Sequence, residues 1–172
     1  MRHLSVAAAM AAALAIAGEC NAYGLSEVRL GVLAHDPLIN KEDGVDLNAE
    51  IYFDSWTEGS WELRPSVGGT LHLDDDGTSF AFVDLNYGGP IFDGVFAELS
   101  FGGALHDGKL ETADPNRREL GSRVLFHLAG EIGIMLGEKT SLSLYVEHIS
   151  NAGIEERNEG LETAGVRIGF RI

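Results

Sequence analysis

Val45-Asp46-Leu47-Asn48-Ala49-Glu50-Ile51-Tyr52-Phe53-Asp54 places an apolar residue at every odd position and a polar or amphipathic one at every even position. Strand side chains point alternately to opposite faces, so this stretch is a strand with one greasy side and one polar side. A strand of a globular protein does not need such regularity, whereas a strand crossing a bilayer does. Around it the pattern repeats. Val28, Leu30, Val32 and Ala34 oppose Glu27, Arg29 and Gly31, with Leu33 breaking the polarity of the second set. Trp61, Leu63, Pro65, Val67, Gly69 and Leu71 oppose Glu62, Arg64, Ser66, Gly68, Thr70 and His72. Further runs start at Phe80, Val95, Leu120, Leu142 and Glu162. In the fourth the outward set is Ala81, Val83, Leu85 and Tyr87. Pro65 lacks the N–H that a closed sheet demands, so a bulge or an irregular stretch is expected there.

The count is about eight strands, an even number, as closure of a small antiparallel barrel requires. Connections at Ser55–Ser60, Gly88–Pro90 and Gly137–Lys139 are short, while Asp36–Gly44, Asp74–Gly77, His106–Arg118 and Asn151–Gly160 lie at the other ends. That asymmetry predicts an all-β, eight-stranded, up-and-down transmembrane barrel with its longer loops outside. Trp56 and Trp61 flank one short turn as an interfacial girdle would. Glu50, Arg64, Asp84, Glu98, Arg123, Glu131, Glu147 and Arg167 are then expected in the lumen, paired rather than lining a channel.

Residues 1–22 have the layout of a secretory signal peptide: Arg2 and His3, an apolar run from Leu4 to Ala17, and small Ala22 at the cleavage point. Residues 23–172 form the barrel domain. Cleavage there removes Cys20, the one cysteine, so sheet pairing and packing must hold the mature chain together. A net charge of −15 without a basic cluster excludes nucleic-acid binding. Asp74-Asp75-Asp76-Gly77 lacks the remaining ligands of a calcium loop and reads as a solvated turn. His35, His72, His106 and His127 show no metal-ligand spacing, so neither metal nor cofactor is expected.

The run Leu142, Leu144, Val146 continues into His148 and Ser150 on the same face. Glu162 shares the parity of Ala164, Val166 and Ile168. A hairpin register opposing position 148 to 162 would gather a base, a hydroxyl and a carboxylate, the parts of a Ser-His-acid triad. Both polar side chains of the first strand fall in the lipid-facing register, where a lipid substrate would give them a purpose.

His148-Ile149-Ser150-Asn151-Ala152-Gly153-Ile154, followed by Asn158-Glu159-Gly160-Leu161-Glu162, resembles the PagL-type outer-membrane lipid A 3-O-deacylases in residue types and spacing. The resemblance implies hydrolysis of the 3-position acyl ester of lipid A on the outer wall of the barrel. Ser150 is then the nucleophile, His148 the base and Glu162 the third member, with Asn158 and Asn151 as oxyanion candidates. Partners implied are lipopolysaccharide and outer-membrane lipid, with homodimerisation left open. Lys109, Arg117, Arg118 and Arg157, in outer loops, are candidates for the lipid A phosphates. Competing readings are a non-catalytic structural or adhesive outer-membrane barrel and a periplasmic lipocalin-like barrel. The last would require apolar residues inside.

Overall fold

The computed structural model describes residues 24–172; the leader read at 1–22 lies outside the described residues. Eight strands follow one another as β1 (Leu25–His35), β2 (Gly44–Phe53), β3 (Glu62–His72), β4 (Phe80–Phe92), β5 (Val95–His106), β6 (Val124–Met135), β7 (Thr140–Ser150) and β8 (Leu161–Arg171). Each is antiparallel to its neighbours, and β8 returns to β1, so the barrel closes without a free edge. Closure is what permits a sheet to sit in hydrocarbon, because every ladder N–H and C=O finds a partner within the protein. Exposure alternates along β7, with Leu142, Leu144 and Val146 outside and Ser143, Tyr145 and Glu147 inside.

The lumen is filled by charge. The Arg29 guanidinium lies 2.7 Å from Glu27, 2.7 Å from Glu98 and 2.6 Å from Glu131. Arg64 reaches Glu27 at 2.7 Å and Glu98 at 2.8 Å, and Arg167 reaches Glu50 at 2.7 Å. Tyr52 carries Arg29 over its ring at 4.4 Å and donates its hydroxyl to Glu98 at 2.8 Å. Further toward the long loops His127 sits between Asp84, at 2.7 Å, and Glu147, at 3.0 Å, and stacks on Phe82. Glutamates and arginines inside the cylinder exclude the lipocalin-like reading.

At the long-loop end the filling becomes apolar. Phe80, Phe82, Ala104, Leu125, Ile149 and Leu161 turn inward and Leu120 descends onto them from the β5–β6 loop. Above that plug the outer loops are tied by ion pairs. Arg117 meets Glu42 at 2.9 Å, and Arg118 forks onto Asp36 through Nε at 3.0 Å and through a second bond from Nη2. Burial pushes the Glu42 carboxyl up, but hydrogen bonds from His35, the Arg118 backbone and Thr78, with the Arg117 charge, hold it at about 2. Burial of Asp36 is likewise outweighed by Arg118 and by the N–H groups of Lys41 and Glu42, so its pKa also lies below the ordinary value.

Several local expectations are corrected. Gly88-Gly89-Pro90 is not a turn: β4 runs on to Phe92, and the chain reverses at Asp93-Gly94, where Gly94 adopts a φ of +70°. The glycines serve their neighbours instead. A Cβ at Gly88 would stand 2.8 Å from the Cβ of Glu98, and one at Gly89 would stand 2.9 Å from the Trp61 ring. No bulge occurs at Pro65, because the β2–β3 ladder ends at Tyr52↔Ser66, one residue short of it. β6 begins at Val124 rather than Leu120, which leaves Arg123 outside the lumen, donating to the His106 and Gly108 carbonyls. Leu33 is inward, packed with Ala129 and Tyr145. The short-turn end carries the exposed Trp56, with Trp61 5.3 Å from Tyr87.

Two outcomes follow from this charge distribution. Arg29→Met takes one partner from each of three buried carboxylates, leaving Glu27 and Glu98 to Arg64 and Glu131 to Arg167 at 3.6 Å, and should lower stability by about 3 kcal/mol, read from the urea midpoint of the heat-modifiable band. Glu42 and Asp36 titrate lower in the folded than in the unfolded chain, so their contribution is complete above the unfolded carboxylate range and vanishes as pH falls through the folded values. Amide exchange in the 36–43 and 107–123 loops should therefore accelerate as pH drops from about 5 toward 2, after correction for intrinsic rates, and Glu42→Gln should remove part of that dependence.

Candidate active site

β7 delivers His148 and Ser150 to the outer wall at its last turn of alternation, and β8 starts with Glu162 on the same wall. The strands pair in the register His148↔Glu162. His148 Nδ1 lies 2.9 Å from Glu162 Oε1, so the carboxylate holds one tautomer with Nε2 free to act as a base. The two side chains are partly open, at 37% and 22% exposure, while Ile149 and Leu161 between them belong to the dry plug. Ser150, half-buried, shares the face of His148 opposite Phe126, and its Oγ makes no hydrogen bond among the described residues. Beside it an apolar groove is lined by Phe101, Gly103, Val124, Phe126 and Ile154.

The loop after Ser150 is organised by Asn151. Its Nδ2 donates to the carbonyls of Leu120, at 3.0 Å, and Arg157, at 2.6 Å, while its Oδ1 accepts from Gly153 at 2.9 Å. Its backbone N–H goes to Asn158 Oδ1 at 2.9 Å. The N–H groups of Asn151 are thus committed to its own loop and to the β5–β6 loop. Asn158 is exposed, and accepting through Oδ1 leaves its Nδ2 without a partner among the described residues. Gly160 has a φ of +65°, and a Cβ there would press on His148 Cε1 at 2.8 Å. Only a glycine meets both demands. Its place in the motif was visible in the sequence, but the ring it shelters was not.

Of the four cations expected on phosphates, Arg117 and Arg118 are turned inward onto Glu42 and Asp36. Burial of Arg118, forked onto Asp36 and bonded to the Glu159 carbonyl, corrects that expectation for Arg118, while half-buried Arg117 reaches Glu42 through Nε. Arg157 stays half exposed, 3.3 Å from Glu119. The histidine reading also changes. His35, Asp46 and His72 lie 11 and 26 residues apart in sequence, yet their ligand atoms come within 4.8 Å of one another. They are the residues with spacing suited to a cation. Each imidazole already has its own carboxylate oxygen, with Nδ1 at 2.8 Å in both cases, so the cluster is satisfied as a shared hydrogen-bonded group.

Solved structures similar to the chain include the crystal structure of the outer membrane enzyme PagL, at 20% identity and a TM-score of 0.66, covering 85% of this chain and 99% of that one. The N-terminal β-barrel domain of Pseudomonas aeruginosa OprF is 13% identical with a TM-score of 0.57, covering 87% and 98%. A designed transmembrane β-barrel is 12% identical with a TM-score of 0.54, covering 87% and 97%. At these identities the likeness is one of fold. No individually curated protein matches the chain. A family profile described as lipid A 3-O-deacylase (PagL) matches residues 42–171, most of the barrel including both strands of the site, and the chain belongs to that family.

Proposed function

We propose that this outer-membrane barrel hydrolyses the 3-position acyl ester of lipid A, with Ser150 as nucleophile, His148 as base and Glu162 as the acid that orients it. The observation that carries the reading is the 2.9 Å contact between His148 Nδ1 and Glu162 Oε1 on the lipid-facing wall, with Ser150 next along the same face. A polar trio there is costly unless its substrate is the lipid itself.

The sequence of steps is that of a serine esterase. Ser150 Oγ attacks the acyl carbonyl as its proton passes to His148 Nε2, and the contact between them closes when substrate excludes water from the site. The carbonyl oxygen becomes an oxyanion for which Asn158 Nδ2 is the assigned donor, because the N–H groups of Asn151 are committed to Asn158 Oδ1 and to the Leu120 and Arg157 carbonyls. The imidazolium then protonates the departing sugar oxygen, which leaves as a hydroxyl. Water attacks the acyl-serine, giving up its proton to His148, and the imidazolium returns a proton to Ser150 Oγ as its bond to the acyl carbon breaks and a 3-hydroxy fatty acid leaves. The groove at Phe101, Gly103 and Phe126 would hold the acyl chain without its leaving hydrocarbon.

Mass spectrometry of lipid A from cells expressing the protein should show loss of one 3-hydroxyacyl group. Ser150→Ala and His148→Asn should each lower purified activity by about 10³-fold or more while leaving a heat-modifiable barrel, and equal product from the wild type and Ser150→Ala would reject the triad. Gly160→Ala should displace the His148 ring and cut kcat by about tenfold to 100-fold, and the strain of a Cβ at φ +65° should also lower stability by about 1–2 kcal/mol, read from the urea midpoint.

A further inference from the structure

Glu162 has two carboxylate oxygens and His148 uses one of them. The other, Oε2, is buried without a hydrogen-bond partner. A carboxylate oxygen left so in a wall bordering hydrocarbon needs a counter-charge, since low dielectric makes an uncompensated anion expensive. Among the described residues Arg118 is the arginine or lysine within reach, with Nη2 3.7 Å from Oε2.

Arg118 is not free to wander. It is buried in the 107–123 loop, forks onto both oxygens of Asp36 and donates from Nη1 to the Glu159 carbonyl at 3.3 Å. Asp36 is itself fixed by the N–H groups of Lys41, at 2.8 Å, and Glu42, at 3.2 Å. The backbone N–H of Asp36 also donates to the Glu162 carbonyl at 2.9 Å. One residue at the end of β1 therefore grips Glu162 through its main chain and aims Arg118 at the Glu162 side chain. A lysine could supply the charge but not the planar fork.

We infer that Arg118, held by Asp36, is a positioning residue for the deacylation: it fixes Glu162 Oε2 from behind, so that Oε1 stays aimed at His148. The inference rests on the reading of Glu162 as the third member of the triad. A loop with no share in the chemistry would then set the orientation of the base. If Arg118 only stapled the outer loops together, its loss would act on stability, independently of Glu162.

A double-mutant cycle separates these roles. Purified barrels carrying Arg118→Met, Arg118→Lys, Glu162→Gln and each Arg118 change combined with Glu162→Gln are assayed on lipopolysaccharide in detergent micelles, with heat modifiability as the fold control. Arg118→Met should lower kcat by about tenfold to 100-fold with KM near the wild-type value, and Arg118→Lys should recover part of that loss. In the Glu162→Gln background the same Arg118 changes should cost less than about twofold. Equal fold-losses in both backgrounds, a loss confined to KM, or full activity of Arg118→Met would overturn the inference. If Arg118→Met gives no heat-modifiable barrel, the cycle with Arg118→Lys, which keeps the charge opposite Asp36, decides by the same criterion. Full activity of Glu162→Gln would instead reject the triad reading, a result distinguishable from failure of the Arg118 role.

Discussion

A closed sheet in a bilayer must sort its side chains, one to hydrocarbon and the next to the lumen, and the lumen of an eight-stranded cylinder is too narrow for a column of water. Arg29 shows how this chain meets the constraint. Its guanidinium binds Glu27, Glu98 and Glu131, contributed by three different strands, and stacks on Tyr52 from a fourth residue position on β2. Arg64 and Arg167 extend the same pairing to Glu27, Glu98 and Glu50, so the charged groups of the lumen are held together inside the cylinder. Nothing polar remains to be explained on the outer wall except where β7 and β8 approach the outer loops.

That exception sits against a change in the filling. Toward the short-turn end the lumen is ionic, whereas behind the site it is the apolar plug of Phe80, Phe82, Leu125, Ile149 and Leu161 under Leu120. A dry backing matters for a carboxylate–imidazole pair because water competes for both partners and weakens their attraction. Charge lies on both sides of the pair: the lumenal network below, and the Arg117–Glu42 and Arg118–Asp36 pairs above. Arg118 is the point where the upper group touches the site, through Glu162.

Features set by neighbours one or two residues away could be read from the sequence. Parity is of that kind, so the lipid-facing placement of His148, Ser150 and Glu162 followed from alternation alone, and the register that joins two of them followed from a hairpin. The errors arose where a residue's role is fixed by a distant partner. Gly88 and Gly89 looked like a turn because their tasks are to clear Glu98 on β5 and Trp61 just before β3. The histidines at 35 and 72 looked unrelated because they meet only once β1, β2 and β3 lie side by side. Arg118 looked like a free cation because its loop has no periodicity and its partner Asp36 is 82 residues earlier.

The position of the site across the bilayer joins these strands of argument. A triad on a loop tip would have to draw an acyl ester out of the membrane and bear the transfer of its chain into water, roughly 0.8 kcal/mol for each methylene exposed. A triad deep in the wall would bury a carboxylate where no counter-charge from the loops could reach it. The last residues of β7 and the first of β8 avoid both penalties. Their side chains look onto lipid beside the Phe101–Phe126 groove, while the back of Glu162 is within reach of a guanidinium anchored in the polar cap. On the proposed reading the ester is met where it already lies, and the fold's own boundary between greasy wall and charged cap supplies the electrostatics that the hydrolysis needs.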